Sequence, residues 1–307
     1  MRSVAPILLA VLAALALAAA PASAFAGRDG RIVFGWSSFS ESELEPFQVL
    51  LDETAIQTIS PRGGAPTTVR GCTRAAGRAD VGDCTIRYRD PSVAPAGDRV
   101  AFDAGASIAL MRFEGGGLRV LPAHSADDGD PAFSPDGTHL IFSAGAGTET
   151  FDPTPDRGIW VSDLAGGNAQ RLTARGTRPA WSARNWIAFV RANGVYRMRP
   201  DGHGLRRVFA SRRCTDVAWS PHGTKLAFAC RDFPYVADAD GRHAHRVRGT
   251  RAMRLAWSPS GRRLVVNPFD GVATIRTDGT GLRELIAGTS GATYSSGAGG
   301  VDWQPLH

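Results

Sequence analysis

Apolar residues in this chain fall in short runs separated by turns of Ser, Pro, Asp and Gly, and one pairing of runs keeps returning. The clearest copy is Pro131-Ala-Phe-Ser-Pro-Asp-Gly-Thr-His-Leu-Ile-Phe142. It recurs as Val217-Ala-Trp-Ser-Pro-His-Gly-Thr-Lys-Leu-Ala-Phe228 and Leu255-Ala-Trp-Ser-Pro-Ser-Gly-Arg-Arg-Leu-Val-Val266. Weaker copies are Pro91-Ser-Val-Ala-Pro-Ala-Gly-Asp-Arg-Val-Ala-Phe102 and Pro179-Ala-Trp-Ser-Ala-Arg-Asn-Trp-Ile-Ala-Phe189, the latter one residue short at its turn. Two apolar runs around Ser-Pro-x-Gly predict a hairpin, because Pro presets one turn dihedral and Gly tolerates the other. After each comes a second hairpin about a polar Gly turn: Ile159 to Leu172, Val195 to Val208 and Val272 to Leu285, with similar segments at Ile108 to Leu121, Tyr235 to Val247 and Ile56 to Val69.

Pro95, Pro135, Ala183, Pro221 and Pro259 mark successive copies, 40, 48, 38 and 38 residues apart. That period suits a propeller blade of four strands. Six outer hairpins face five complete inner ones, and the missing half is split between the ends. Val301-Asp-Trp-Gln-Pro-Leu-His307 matches the first strand of the inner unit, and Asp29-Gly-Arg-Ile-Val-Phe34 matches the second. Pairing them closes a ring and leaves no unpaired end blade. The expected fold is all-β, a six-bladed β-propeller of four-stranded blades. Phe133, Trp181, Trp219, Trp257 and Trp303 occupy one blade position and are expected to pack between neighbouring sheets.

With Phe/Trp-Ser-Pro-Asp-Gly followed by an apolar Ala-Phe strand, the chain resembles the TolB-like six-bladed propellers (WD-type repeats) over nearly all residues after the first two dozen. The resemblance implies the fold; similar propellers serve as binding modules, lyases and substrate gates of oligopeptidases, so the site must name the function. TolB itself has an α/β domain before its propeller, for which residues 24 to 29 leave no room, so a stand-alone propeller is expected.

The N-terminus reads as a signal peptide: Arg2, an uncharged Ala/Leu run from Ile7 to Ala20, then Pro21-Ala22-Ser23-Ala24. Residues 1–24 form that segment and 25–307 the propeller, with cleavage after Ala26 as the alternative. A secreted, periplasmic or envelope-associated protein is expected, without membrane insertion after cleavage and without nucleic acid as a partner. Four Cys in an exported chain favour disulfides over a metal site, since no Cys-x-x-Cys occurs. Cys214 and Cys230 lie directly opposite if Trp219 faces Lys225, and Cys72 with Cys84 would staple a Gly-rich insertion.

If each inner strand starts at the upper face, the unusually long segments all belong to upper connections: Gly35 to Glu53, Gly71 to Arg89, Ala144 to Arg157 and Ala287 to Gly300. Long loops on a rigid scaffold are the usual place for binding. Three residues before each inner-strand aromatic stand Asp90, Asp130, Arg178, Asp216, Arg254 and Gly300. They form a mixed-charge ring at the predicted channel mouth, suited to a zwitterionic or peptide-like ligand or else to pairing between blades. Asp127, Asp128 and Asp130 could supply oxygens to Ca²⁺, although the spacing is not that of an EF-hand. His243 and His245 read as surface decoration. No zinc-hydrolase, P-loop or Gly-x-Ser-x-Gly motif occurs, and no cofactor is expected.

The formal net charge of +6 conceals segregation: residues 25–174 carry −7, residues 175–263 carry +14 and residues 264–307 carry −2. Thirty-four of the 35 basic residues are Arg, Lys225 being the exception. A ring with one acidic and one basic side predicts docking of an acidic protein or an anionic envelope polymer on blades four to six. The leading expectation is a monomeric binding module using its upper face; the rival is a propeller enzyme for carbohydrates or lactones with carboxylates at the mouth.

Overall fold

The computed structural model describes residues 26–41, 49–73, 86, 88–125, 127–145, 158–268, 271–287 and 297–307. Every regular element among them is a strand. Blade one contains β1 (Arg28–Glu41), β2 (Val49–Ile59) and β3 (Thr67–Thr73). Blade two is β4 (Arg89–Val93), β5 (Arg99–Asp103), β6 (Ile108–Arg112) and β7 (Arg119–Val120). Blade three is β8 (Asp128–Phe133), β9 (His139–Ala144), β10 (Gly158–Asp163) and β11 (Gln170–Thr173). Blade four is β12 (Thr177–Trp181), β13 (Ile187–Arg191), β14 (Gly194–Met198) and β15 (Arg206–Ala210). Blade five is β16 (Cys214–Trp219), β17 (Lys225–Cys230), β18 (Phe233–Asp238) and β19 (His245–Arg246). Blade six is β20 (Arg254–Trp257), β21 (Arg263–Asn267), β22 (Val272–Arg276) and β23 (Arg283–Ile286). The last strand, β24 (Gly297–Leu306), completes blade one beside β1, with Ile32 opposite Trp303 and Phe34 opposite Val301.

The repeated serine has a physical task. Ser134, Ser220 and Ser258 lie buried at the inner turns, where each hydroxyl accepts the amide five residues on, from His139 at 2.9 Å, Lys225 at 2.9 Å and Arg263 at 3.1 Å. Blade four, one residue shorter, does the same from Ser182 to the amide of Trp186 at 3.0 Å. There Asn185 takes the left-handed backbone (φ 59°) that Gly137, Gly223 and Gly261 supply elsewhere, a conformation Asn tolerates better than most residues.

The core is six interblade clusters rather than one. Between blades three and four, Ile141 and Ile159 meet Trp181, Ile187, Phe189 and Met198. Four tryptophans at the repeated position are at most 8% exposed, and each of three donates its indole N–H: Trp219 to Ala180 O, Trp303 to Gly30 O and Trp181 to Asn185 Oδ1. Cys214 and Cys230 face each other in β16 and β17 and are disulfide-bonded. Cys72 is also disulfide-bonded, and its expected partner Cys84 lies outside the described residues, as do residues 1–24.

One expectation needs correcting. The segment from Gly35 to Glu53 is not a loop over most of its length: β1 and β2 stay paired up to Glu41 opposite Val49. The ladder carries a bulge at Ser38/Phe39. β3 likewise reaches Thr73 and β24 starts at Gly297, so the sheet of blade one continues past the inner ends of its neighbours on the mouth side. Residues 42–48, 74–85, 146–157 and 288–296 of the expected loops lie outside the described residues.

Candidate functional site

A channel of about 180 Å³ runs along the ring axis, lined at its mouth by Asp90, Asp130, Arg178, Asp216, Arg254 and Gly300. All six predicted ring positions therefore converge. Three of them hold the left-handed backbone that non-glycine residues avoid: Asp90 (φ 46°), Asp130 (φ 53°) and Arg178 (φ 55°). Each precedes a proline, and the ladder slips there, between Arg89 and Ser92, Gly129 and Ala132, and Thr177 and Ala180. Such bulges re-aim side chains. Glycine at the sixth position is a requirement, because a Cβ on Gly300 would lie 2.6 Å from Oδ1 of Asp90.

The charges pair across blades. Nη1 of Arg178 lies 2.5 Å from Asp90 Oδ1 and 2.8 Å from Asp130 Oδ1, and Nε of Arg254 lies 3.4 Å from the same Asp90 oxygen. The amide of Arg178 donates to Asp130 Oδ2, and the amide of Leu255 to Asp216 Oδ2. The Asp90 and Asp130 carboxylates are nearly closed off, while the Arg178 and Arg254 side chains stay 19% and 21% exposed. Viewed from solvent, the mouth presents two guanidiniums above a bed of acids.

Asp103, at the upper end of β5, was absent from the expected ring. It is 7% exposed, and its Oδ1 accepts the amide of Asp130 at 2.9 Å. The signal was available: it directly follows the second-strand aromatic of its repeat, as the ring residues precede the first-strand one. Oxygens of Asp90, Asp103 and Asp130 lie within 4.8 Å of one another, and this is the acidic group close enough to share an ion among the described residues. The triplet expected from sequence, Asp127, Asp128 and Asp130, does not converge. Asp128 is buried and accepts bonds from Ser125 Oγ at 2.6 Å and the His124 amide at 2.7 Å, whereas the bulge turns Asp130 into the channel. The positive charge beside the converging acids comes from Arg178 and, on the Asp90 side, Arg254.

Burial works against charge on Asp90, but Arg178 and Arg254 outweigh it and hold its carboxyl below the usual range. Asp103 goes the other way: burial, then the charges of Asp90 and Asp130, push it well up. Burial works against charge on Arg178 too, and Asp130, Asp90 and Asp216 overcome it and raise its pKa. Asp216 is pushed to about 6 by burial, partly offset by Arg254 and Arg178. Asp302 is pushed to about 6 by burial against the amides of Val93 and Trp303.

These raised acids make stability pH-dependent. Their stabilising contribution is complete below the unfolded value near 3.8 and is lost as pH rises through about 6. Asp90 opposes this only below its ordinary range. Stability is therefore expected to be greatest near pH 4 and to fall as pH rises to between about 6 and 7, by at most about 2–3 kcal/mol per raised group, with the melting temperature following it. Asp216→Asn and Asp302→Asn should each flatten that slope in thermal scans; a flat wild-type profile would contradict the assignment.

Fold and mouth together define a six-bladed β-propeller with a charged, bulge-shaped channel entrance, and the fold is that of the TolB-like propellers. No family model matches the chain. Over 129 residues it is 32% identical to a protein TolB homolog of Chlorobium luteolum, a stretch covering 39% of this chain and 28% of that protein. The chain thus spans less than a third of that relative. Among solved structures, TolB from Acinetobacter baumannii aligns with a TM-score of 0.67 and 19% identity over 90% of this chain and 67% of that one. The gluconolactonase XC5397 from Xanthomonas campestris aligns with a TM-score of 0.50 and 19% identity over 64% of this chain and 74% of that one. At these identities the structural likeness is one of fold.

Proposed function

We propose that this is an exported, envelope-associated binding module that seats a peptide-like ligand at the upper mouth of its channel. The supporting observation is the mouth itself, where strained backbone at Asp90, Asp130 and Arg178 aims charges inward. Left-handed non-glycine residues cost about 1–3 kcal/mol each and cluster where function holds them in place. The acids are committed to neighbours and the two arginines are the more accessible groups, so the mouth suits a carboxylate-bearing end or side chain of a partner protein. The sheet of blade one, continuing past the mouth, offers a flank for the rest of the ligand. A second partner, an acidic protein or anionic envelope polymer, fits the basic blades four to six.

Free-acid peptides screened by thermal shift are expected to stabilise the wild-type protein, their C-terminally amidated forms less so, and neither the Asp216→Ala/Arg254→Ala variant. Unchanged affinity in that variant would remove the mouth as the site. One observation favours an enzyme instead: Asp90 and Asp103 sit in one acidic group with pKa values displaced in opposite directions, the pattern of an acid and base pair. Turnover of a lactone or glycoside that is lost in Asp103→Asn would decide for that reading.

A further inference from the structure

The lower face carries an arginine groove where blade six meets blade one. Two adjoining hollows, of about 470 and 420 Å³, share a wall made by Arg263 and Arg276. The first also takes in Arg28 and Arg262 with Asp29; the second takes in Arg283 and no carboxylate. The arginine ion pairs among the described residues belong to Arg99, Arg178, Arg242 and Arg254, so none of these five guanidiniums has a carboxylate partner there. Asp29 is engaged by the amide and hydroxyl of Ser260, at 2.9 and 3.1 Å.

The wall is pre-organised. Nη2 of Arg263 donates to the carbonyl and hydroxyl of Thr274, at 3.2 and 3.1 Å, and to the carbonyl of Gly281. Arg283 donates to the carbonyl of Arg62 at 3.3 Å, across the seam. A Cβ on Gly281 would lie 3.4 Å from Nη1 of Arg276 and 3.5 Å from Nη1 of Arg263, so two cations converge over a bare glycine. Partial burial, with Arg276 and Arg283 nearby, presses the pKa of Arg263 down while Asp29 opposes. Four or more like charges gathered against the single carboxylate of Asp29, itself engaged by Ser260, favour an anion that would relieve them.

Arg263, Arg276 and Arg283 come from three different strands, which matches the several oxygens of a tetrahedral oxyanion better than the two of a planar carboxylate. Hollows on both sides of the shared wall suit anionic groups repeated along a chain. We propose that this groove binds a phosphate-bearing polymer, with successive phosphoryl groups in the two hollows. The proposal rests on the anionic-partner reading above and narrows it to phosphoryl chemistry at this seam.

The probes are linear tripolyphosphate, poly(glycerol phosphate) and polyglutamate of matched charge, measured calorimetrically at low ionic strength. Arg276→Ala/Arg283→Ala should weaken tripolyphosphate or poly(glycerol phosphate) about tenfold or more, about 1.4 kcal/mol. Whichever of the two binds tighter identifies the inorganic or the phosphodiester source. Arg206→Ala/Arg207→Ala, on β15, should leave binding intact. All four side chains are exposed, so both variants should fold, as circular dichroism would verify. Loss in the β15 variant with none in the groove variant overturns the groove and leaves an anionic partner standing. Polyglutamate binding as tightly overturns the phosphoryl assignment. No salt-sensitive binding of any probe overturns the anionic-partner reading together with the groove.

Discussion

A chain ending at residue 299 is expected to lose its cooperative thermal transition or to associate through an open strand edge. Residues 300–307 supply most of β24, which pairs with β1 and buries Trp303 at 3% exposure and Val301 at 8%. Burying two such side chains is worth about 1.5–3 kcal/mol each. The same segment ties blade one to blade two: Asp302 accepts the Val93 amide at 2.7 Å, Gln304 donates to Gly97 O at 3.0 Å, and His307 meets Pro95 O at 2.8 Å. Together these losses reach the 5–15 kcal/mol by which domains are usually stable. Differential scanning calorimetry and size-exclusion chromatography would show it; an unchanged transition in a monomer would contradict ring closure.

Arg178→Ala is expected to cost about 3–5 kcal/mol, because it strands buried Asp90 and Asp130 without their cation. The deficit should shrink at pH 4.5, where stranded acids take up protons, and this separates a lost charge from lost packing. Arg178→Met, which keeps the stem, should behave like alanine at pH 7.5. Denaturant unfolding at the two pH values measures both. A loss below about 1 kcal/mol at pH 7.5 would mean that the guanidinium behaves as a solvated surface charge.

Much of the architecture was legible because one motif reports one local geometry. The Ser-Pro-x-Gly turn fixes its own hydrogen bonds, so Ser134, Ser220 and Ser258 marked inner hairpins before any contact was known. The register that put Trp219 opposite Leu226, one step from the sequence expectation of Lys225, still set Cys214 opposite Cys230 because the ladder slips between Cys214 and Asp216. The mouth ring followed from the same counting. What counting missed depends on distance across the ring. That Arg178 reaches back to Asp90, two blades away, requires the diameter of the channel. Asp128 and Asp130 look like neighbours on one strand face, but the bulge between Gly129 and Ala132 separates their tasks. The arginine groove joins Arg28 to Arg262 and Arg263 from opposite ends of the sequence, so the charge excess was visible and its address was not.

The bare backbone at Gly300 has a consequence for recognition. Six similar blades would offer a ligand six equivalent rotational settings about the axis, and a bound molecule would be smeared among them. One side-chain-free position filled by its neighbour's carboxylate, with two cations and three acids around the remainder, removes that degeneracy. For the ligand proposed for this mouth, the entrance would be a keyed socket, admitting an asymmetric guest in a single orientation.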